Sequence, residues 1–311
     1  MSKKPKKPAA KTPSSPAPKD KASAGGLQPA LYLVATPIGH AKDITLRALE
    51  VLKAADFVFC EDTRQTQKLL MMHGITGKKL QPAHEHNERG AAEQIAQKIA
   101  QGKSVAYASD AGLPLISDPG AIIVQKIVEE GYRVESIPGA NAALTALQLS
   151  ALPALPFYFA GFLPPKTHAR KKAIEALKPL AATLLFYEAP HRLIETLEDL
   201  AGVLGSRNAS VSREITKLHE ETLRGELPQL LKNFKSRPSI KGECVIVVQG
   251  FGSTDEHAMD QAEIDRLLIE ARKTLSAREA AVIMAGKTGL PKRELYQRLL
   301  HLNDPTAAKR K

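Results

Sequence analysis

Tryptophan is absent from the 311 residues, and aromatic side chains make up only 5%. So little ring surface argues against a stacking platform for single-stranded nucleic acid. Cysteine is almost as scarce. Cys60 and Cys244 each lie inside an apolar run, FVFC and CVIVV, which favours buried, reduced thiols over a disulfide or metal framework. The N-terminal lysines have no apolar core segment behind them, so they do not read as a signal peptide. One stretch, 136–165, carries no charge and is long enough to suggest a membrane span. Pro138, Pro153, Pro156 and Gly161 break it, and Asn141, Gln148 and Ser150 interrupt its apolarity. The expectation is a cytoplasmic protein with no membrane partner.

Hydrophobic residues at 43% and charged residues at 25% are ordinary for a globular chain, and the length exceeds what one core usually serves. Two or three domains are expected. The net charge of +11 is unevenly distributed. Residues 1–26 hold seven lysines against one aspartate, and 261–311 hold eleven Lys/Arg against six Asp/Glu, so the residues between carry no net charge. A neutral body with basic ends suits a binder of polyanions, since clustered cations concentrate attraction to phosphate. Ends that merely aid solubility would read the same way.

Residues 1–26, rich in Lys, Pro, Ala and Ser, read as a disordered basic tail. From Leu31 onward strands and helices alternate. LYLVA (31–35), DFVFC (56–60), SVAYAS (104–109) and RVESI (133–137) read as strands, and FYFAG (157–161) as the strand closing this first unit. Helices are expected after Asp43 as cap, near 63–72, at 88–101, at 120–130 with Pro119 in the first turn, and at 140–150. This alternation implies a parallel-rich sheet covered on both faces. A second mixed unit follows, with helices at 168–179 and 190–203 and strands at 183–188, 209–215, 219–227 and 242–250. The chain therefore reads as an N-terminal α/β domain (27–162), a second α/β domain (163–250), a linker (251–261) and a basic helical module (262–311).

The first strand ends in TPIG, not in the glycine-rich turn that cradles a dinucleotide pyrophosphate. A loop with Pro37 and Gly39 suits a ligand lacking a diphosphate, or is an ordinary strand-to-helix turn. The stretch 109–120, SDAGLPLISDPG, crowds two Asp, two Gly and two Pro into a loop at a strand end, where ligands of open α/β sheets bind. SIPGAN (136–141) is a third such loop. With no phosphate loop and no metal-ligand spacing, the three point to a neutral or cationic organic ligand. His84 and His86 flank Glu85, but no third ligand is suggested, so they read as a polar loop and no metal is expected.

In the C-terminal module, Ser276 can cap a helix with Glu279 three residues on. A Lys287-Thr288-Gly289-Leu290 turn and Pro291 then open a second helix charged by Lys292, Arg293 and Arg298. Helix, glycine turn, helix is the helix-turn-helix pattern of nucleic-acid binders, although such pairs also serve as packing or dimer modules.

Taken as an ordered set, VATPIG, EDTR (61–64), SDAGLPLISDPG, SIPGANA, GFLPPK, FYEAPHR (186–192) and SREITKLHEE (212–221) resemble the small-subunit ribosomal RNA 2′-O-methyltransferases of the tetrapyrrole methylase superfamily. The resemblance covers about residues 28–250 and continues weakly to 302. It implies a two-domain tetrapyrrole-methylase-like α/β fold with S-adenosylmethionine in the interdomain cleft. It also implies methylation of a cytidine ribose in the decoding region of 16S rRNA, within the small ribosomal subunit, by a homodimer. Carried onto this chain, Pro37 and Gly39 would wall the cofactor. Asp110, Ala111 and Gly112 stand where sister enzymes carry Gly-Asp-Pro, a departure that turns the reading away from a corrin substrate. Ser117 and Asp118 would add cofactor contacts, and Phe162, Gly242 and Glu243 would face the cleft from the second domain with Glu188, Arg213 and Glu214.

A ribose 2′-hydroxyl is a very weak acid and needs a general base. Glu188, His191, Glu214 and Glu220 are the candidates, Glu188 first because it ends an expected strand. Arg64, Arg192, Arg213 and Lys217 could clamp phosphate, with Lys292, Arg293 and Arg298 binding RNA from the helical module. The competing reading makes REITK and PHR ion-paired surface segments. A methylase of a tetrapyrrole or other small molecule, and a non-catalytic nucleic-acid-binding protein, are the alternative functions.

Overall fold

A computed structural model describes residues 26–252, 261–288 and 290–302. Most of the expected basic tail, and residues 253–260 of the expected linker, lie outside the described residues.

The first half is a five-stranded parallel sheet built from β1 (Leu31–Val34), β2 (Phe57–Cys60), β3 (Leu80–Pro82), β4 (Val105–Ala108) and β5 (Val134–Ile137), in the order β3-β2-β4-β1-β5. Successive side chains of a strand point to opposite faces, so each short apolar run feeds two cores. Tyr32, Val34, Val58, Cys60, Ala106 and Ala108 pack on one side beneath α1 (Leu46–Ala54) and α2 (Thr63–Met72). Leu31, Phe59, Val105 and Tyr107 pack on the other beneath α3 (Glu88–Ala100) and α4 (Ala121–Glu129). Burial on both faces is why these strands read as unbroken apolar runs.

The second half holds α5 (Ala142–Leu149), β6 (Phe157–Phe162), α6 (Thr167–Leu177), β7 (Thr183–Glu188), α7 (Leu193–Leu204), β8 (Asn208–Arg213), β9 (Glu221–Glu226), α8 (Leu227–Lys235) and β10 (Cys244–Val248). Its sheet runs β6-β7-β10-β8-β9, with β6 and β7 parallel and the remaining neighbours antiparallel. Three helices (α6, α7 and α8) cover one face over a core that includes Phe186, Leu197, Phe234 and Ile246. The other face turns toward the first half. There Leu185, Val245 and Val247 pack against Ala143, Ala146 and Leu147 of α5 and against Ile38 from the loop after β1.

That packing corrects the sequence reading of FYFAG. The segment does not close the first sheet, whose edge is β5, but forms the outer strand of the second. Helix α5 carries the chain across before β6 begins, and its apolar face is spent on the second sheet. Two caps also move. Thr45, not Asp43, caps α1 by accepting from the Ala48 amide, while Asp43 belongs to a 3-10 turn. Gly120 precedes α4, so Pro119 lies outside the first turn. The expected first-half readings omitted β3, three residues at a sheet edge ending in proline, and those of the second half omitted α8.

The C-terminal module comprises α9 (Gln261–Arg272), α10 (Ala277–Thr288) and α11 (Lys292–Leu302) around Leu268, Ala280, Ala281, Met284, Leu295 and Leu299. Ser276 and Glu279 form the expected reciprocal box: the Glu279 amide donates to Ser276 Oγ at 3.3 Å and the Ser276 amide to Glu279 Oε2 at 2.9 Å. Among the described residues no helix is long and apolar enough to cross a membrane.

Candidate functional site

The loops after β1 and β4 are joined to each other. The Thr36 amide donates to the Gly112 carbonyl at 2.9 Å and the Gly112 amide returns a bond to Thr36 at 3.1 Å. Thr36 Oγ1 donates to the Ser109 carbonyl, and Ser109 Oγ to that of Gly112. Gly112 has φ +84°, a conformation glycine adopts without penalty. Leu115 and Ser117 take positive φ as well, 72° and 66°, without being glycine. Such strain persists only where surrounding contacts over-determine the backbone, and it clusters at ligand sites. Here the over-determination comes from Glu88, buried on α3, whose Oε1 accepts from the amides of Gly120 and Ile122 at 2.9 and 2.8 Å. It caps α4 in place of a local side chain and fixes the far end of the SDPG turn.

Opposite this loop stand the ends of β6 and β7 and the start of β10. Between them lies a cleft cavity of about 260 Å³. It is lined by Ile38, Asn141 and the stretch 111–118 except Pro114 and Leu115 from the first half, and by Ala142 at the start of α5. From the second half it is further lined by Phe162, Tyr187 to Pro190, Ile215 and Glu243 to Val245. The halves touch closely at its floor. A Cβ on Gly39 would meet Thr216 Oγ1, Lys217 Cγ and the Ile215 carbonyl within 2.8 Å, and the His40 amide donates to Thr216 Oγ1.

The electrostatics are one-sided. Burial, followed by the nearby Glu61, Asp110 and Glu243, pushes the Asp118 carboxyl up to about 7. Burial raises Glu61 and Asp110 too, each further opposed by a neighbouring acid. Glu243 adds a largely exposed carboxylate to the second wall, bridged at 2.9 Å by Lys217, which also reaches Glu214 Oε1 at 2.9 Å. Burial opposes the Lys217 charge, but these two glutamates outweigh it and raise its proton affinity. The Lys217 bond also holds the Glu214 carboxyl below its usual range.

Of the expected cofactor residues, Ala111, Gly112, Ser117, Asp118, Phe162 and Glu243 line the cavity, as does Glu188. Pro37, Gly39, Asp110 and Gly242 do not. Ile38, between the first two, is the wall residue, and Gly39 serves the contact between the halves. Asp110 accepts from the Asp62 amide at 2.9 Å and so ties its loop to the start of α2.

Several expected catalytic and phosphate-binding groups are otherwise engaged. Glu188 is buried, with Oε1 taking the Ala189 amide and Oε2 the Thr196 hydroxyl, at 2.8 and 2.6 Å. Both carboxylate oxygens thus hold the β7–α7 turn, bonds that Glu188 would have to share to serve as the base. Arg213 is bound to Glu221 and to the Lys241 carbonyl and does not line the cavity. Arg192 donates to the carbonyls of Leu163 and Pro164 and pairs with Glu188. Glu214 and Lys217 are bound to each other, and Arg298 to Asp265 on α9. Arg64 remains exposed beside Asp62, and Lys292 and Arg293 are exposed on α11. Among the described residues no group of three or more His, Cys, Asp or Glu is arranged to hold a metal.

The lining fits a small amphipathic cation. Apolar side chains dominate it, two accessible carboxylates face in from opposite walls, and among the described residues no lysine or arginine lines it. An anionic ligand would meet Asp118 unpaired on one wall and, on the other, Glu243, whose charge Lys217 offsets at 2.9 Å, so Asp118 is the wall charge that disfavours it. Ile38, Leu113 and Ile116 lie within loops the sequence had marked but were not singled out there, and Tyr187, Ile215 and Val245 were not expected on the wall; apart from the Tyr187 hydroxyl, these side chains carry no polar group that sequence inspection could single out.

Comparison with known proteins agrees with this architecture. Residues 30–231 match the Tetrapyrrole (Corrin/Porphyrin) Methylases, and 258–303 match the RsmI C-terminal HTH domain. A curated relative from Mesorhizobium japonicum, "Ribosomal RNA small subunit methyltransferase I", is 47% identical over 279 residues, spanning 89% of this chain and 94% of its own. Its namesake from Escherichia coli O157:H7 is 42% identical, spanning 88% and 96%. The chain belongs to the ribosomal RNA small subunit methyltransferase I family, within the tetrapyrrole methylases. Solved structures share the fold at lower identity. A diphthine synthase superposes with a TM-score of 0.55 at 17% identity, over 70% of this chain and 89% of its own, and the methyltransferase CobJ with 0.55 at 16%, over 73% and 95%.

Proposed function

We propose that the protein methylates the 2′-hydroxyl of a cytidine ribose in the decoding region of 16S rRNA, with S-adenosylmethionine as donor. The observation that carries the donor assignment is the cleft between the sheets, apolar, free of basic lining residues and flanked by Asp118 and Glu243. The names of relatives such as that from Escherichia coli support the substrate class, and the helix-turn-helix match supports contact with nucleic acid. The same reading carries a homodimer acting in the cytoplasm.

When bound, S-adenosylmethionine supplies an electrophilic methyl group on a sulfonium. Ala111, Gly112, Ile38 and Tyr187 would enclose it, and Asp118 and Glu243 would balance its positive charge. Excluding water from such a cleft strengthens those interactions and favours in-line displacement. The 2′-hydroxyl proton needs an acceptor. Glu188 and Glu214 are committed to other donors, whereas Asp118 is accessible, accepts no hydrogen bond among the described residues and has a proton affinity near neutrality. A base works best when its pKa lies near the operating pH. Asp118 Oδ therefore takes the proton, and the Thr36–Gly112 and Glu88 bonds hold its loop in place.

The test is transfer of labelled methyl from S-adenosylmethionine to 30S subunits lacking this modification, followed by nuclease mapping. Label on a cytidine ribose in the decoding region is expected. Tight donor binding with no label on subunits or naked RNA would move the acceptor to a small molecule.

A further inference from the structure

Four basic groups named for RNA contact, Arg192, Arg213, Lys217 and Arg298, are held in ion pairs or carbonyl clamps. The part of the RNA nearest the reacting ribose must then be held by other residues. Strands β6 and β7 are parallel, and their C-terminal residues Phe162 and Glu188 both line the cleft. Each strand is followed within five residues by a helix, α6 from Thr167 and α7 from Leu193, so both helices begin at the cleft edge. Five residues span at most about 18 Å, so the first turn of α6 lies within that reach of Phe162 on the cavity wall. Phe162 itself is 53% exposed, so the cavity opens on this side.

The sequence there is basic. Lys166, His168, Lys171 and Lys172 are all exposed. His168, Lys171 and Lys172 stand at i, i+3 and i+4 and share one helical face, away from Arg170 and Ile174, which are buried. The acids near them are largely used. Asp199 takes Arg170 at 2.6 Å and Glu195 takes it at 3.4 Å; Asp199 also pairs with Lys171 at 3.5 Å, but that lysine keeps half of its side chain exposed, where the four paired groups above keep a third or less, and so exposed a pair contributes little. Glu175 stands one turn further along α6. Lys166 and Lys172 have no ion pair among the described residues. The neutral net charge of the body thus hides a local separation: the carboxylates of Glu61, Asp110 and Asp118 cluster on the first-half side, whereas on the second half Glu243 is bridged by Lys217 and the α6 lysines stand at the rim.

We propose that Lys166, Lys171 and Lys172 form the phosphate-binding rim of the cleft, gripping the RNA backbone beside the target nucleotide. This rests on the functional reading above. The carboxylate wall repels phosphate and leaves the α6 rim as the side along which an RNA strand approaches the cavity. The lysines contact backbone, not base edges, so they set position and affinity without reading sequence.

The full-length protein with Lys166→Ala, Lys171→Ala and Lys172→Ala together tests this against unmethylated 30S subunits. Subunit binding is expected to weaken about tenfold at near-physiological salt. The slope of log K against log[salt] should fall by about two, since each lost phosphate contact removes roughly 0.7–0.9. Donor affinity by calorimetry and the melting temperature stay at wild-type values. The triple Lys→Arg variant, which keeps the charge, retains the wild-type salt slope. Unchanged subunit affinity and slope in the alanine variant, beside a wild type that binds and methylates, overturns the rim alone. Loss of donor affinity in that variant also overturns it, because the lysines would then belong to the cavity. A wild type that neither binds subunits nor transfers methyl overturns the functional reading, and the rim with it.

Discussion

Gly242 lies directly beneath the side chain of Glu214, close enough that a Cβ on the glycine would collide with the Glu214 Cγ and Cδ. Gly242 also has φ +84°. The consequence reaches the cleft through the Glu214–Lys217–Glu243 bridge, since Glu243 lines the cavity. Gly242→Ala meets both penalties: about 1–2 kcal/mol for the left-handed backbone and about 1–3 kcal/mol for overpacking, less whatever the Glu214 side chain relieves by swinging away. A lowered denaturation midpoint and weaker donor binding by calorimetry are expected. Wild-type values for both would mean that the strand start relaxes freely.

Glu88 is the second distant support. Its single oxygen satisfies the first amides of α4, which no local side chain reaches. Hydrogen bonds to a charged group contribute about 1.5–3 kcal/mol, and an orphaned buried amide costs about 1–3 kcal/mol. Glu88→Ala should therefore destabilise the protein by roughly 2–3 kcal/mol in urea titration. Donor affinity should fall with it, because the loop at Leu115 to Asp118 loses its anchor. Stability that fell while donor affinity held would separate the anchor from the site.

The sequence made the anchors of this site visible only in part. TPIG, SDAGLPLISDPG and SIPGAN stood out because proline and glycine crowd the ends of apolar runs, and the structure brings residues of all three loops to one cleft, where FYEAPHR, marked only by the family resemblance, joins them. Sequence could not distinguish an arginine that meets phosphate from one spent on protein carbonyls. Arg192 and Arg213 became structural only when the fold brought Leu163, Glu221 and Lys241 within reach. Nor could periodicity assign FYFAG to a sheet: an apolar strand reads alike in either, and the choice was made by where α5 buries its alanines. Glu88, 32 residues from Gly120, looked like any acid opening a helix.

Asp118 gives the reaction a pH signature. Its carboxyl is raised from the ordinary carboxylate range to about 7, chiefly by burial, so it is protonated below that point and ionised above. Only the ionised form accepts a proton or balances a cation. The kcat/KM for the donor should therefore rise from pH 6 to 8 with a midpoint near 7, while the limb in kcat lies lower because the bound sulfonium favours the ionised carboxylate. For stability of the unliganded protein the sign reverses. The folded state binds a proton that the unfolded state releases between about pH 4 and 7, so this group's contribution weakens as pH rises through that window. Asp118→Asn should lower turnover by about 10²–10⁴ and remove the pH 7 limb, while donor affinity falls less. A variant with weak donor binding but intact turnover at saturation would leave Asp118 as a charge-balancing group only.

Lys292 and Arg293 are the exposed basic pair of α11, while Arg298 holds that helix to Asp265 on α9. Lys292→Ala with Arg293→Ala should reduce subunit affinity and lower the salt slope by roughly 1.5–2 without changing the module's helix content by circular dichroism. Arg298→Ala should instead loosen the module, lowering its resistance to proteolysis before any change in salt slope. The opposite pattern, a salt slope that responds to Arg298 alone, would return that residue to the RNA.

Arg192 joins the ends of β6 and β7 on the second-half wall of the cleft. Its Nη2 donates to the Leu163 carbonyl at 2.7 Å and to that of Pro164 at 3.3 Å, while Nε stands 3.3 Å from Glu188 Oε1. Arg170 completes the hold by donating to the Pro165 carbonyl. Three consecutive linker carbonyls are thus satisfied by two arginines, and the residue before them, Phe162, is kept against the cavity. Lysine is a point donor and cannot span the carbonyls and the carboxylate at once. Arg192→Lys should cost about 1–3 kcal/mol through an unsatisfied carbonyl or carboxylate oxygen. Because the lost bonds fix the position of both Phe162 and Glu188, donor KM should rise several-fold while kcat at saturating donor stays near wild type. A fall in kcat with unchanged KM would instead put the guanidinium in the reacting centre, in contact with RNA.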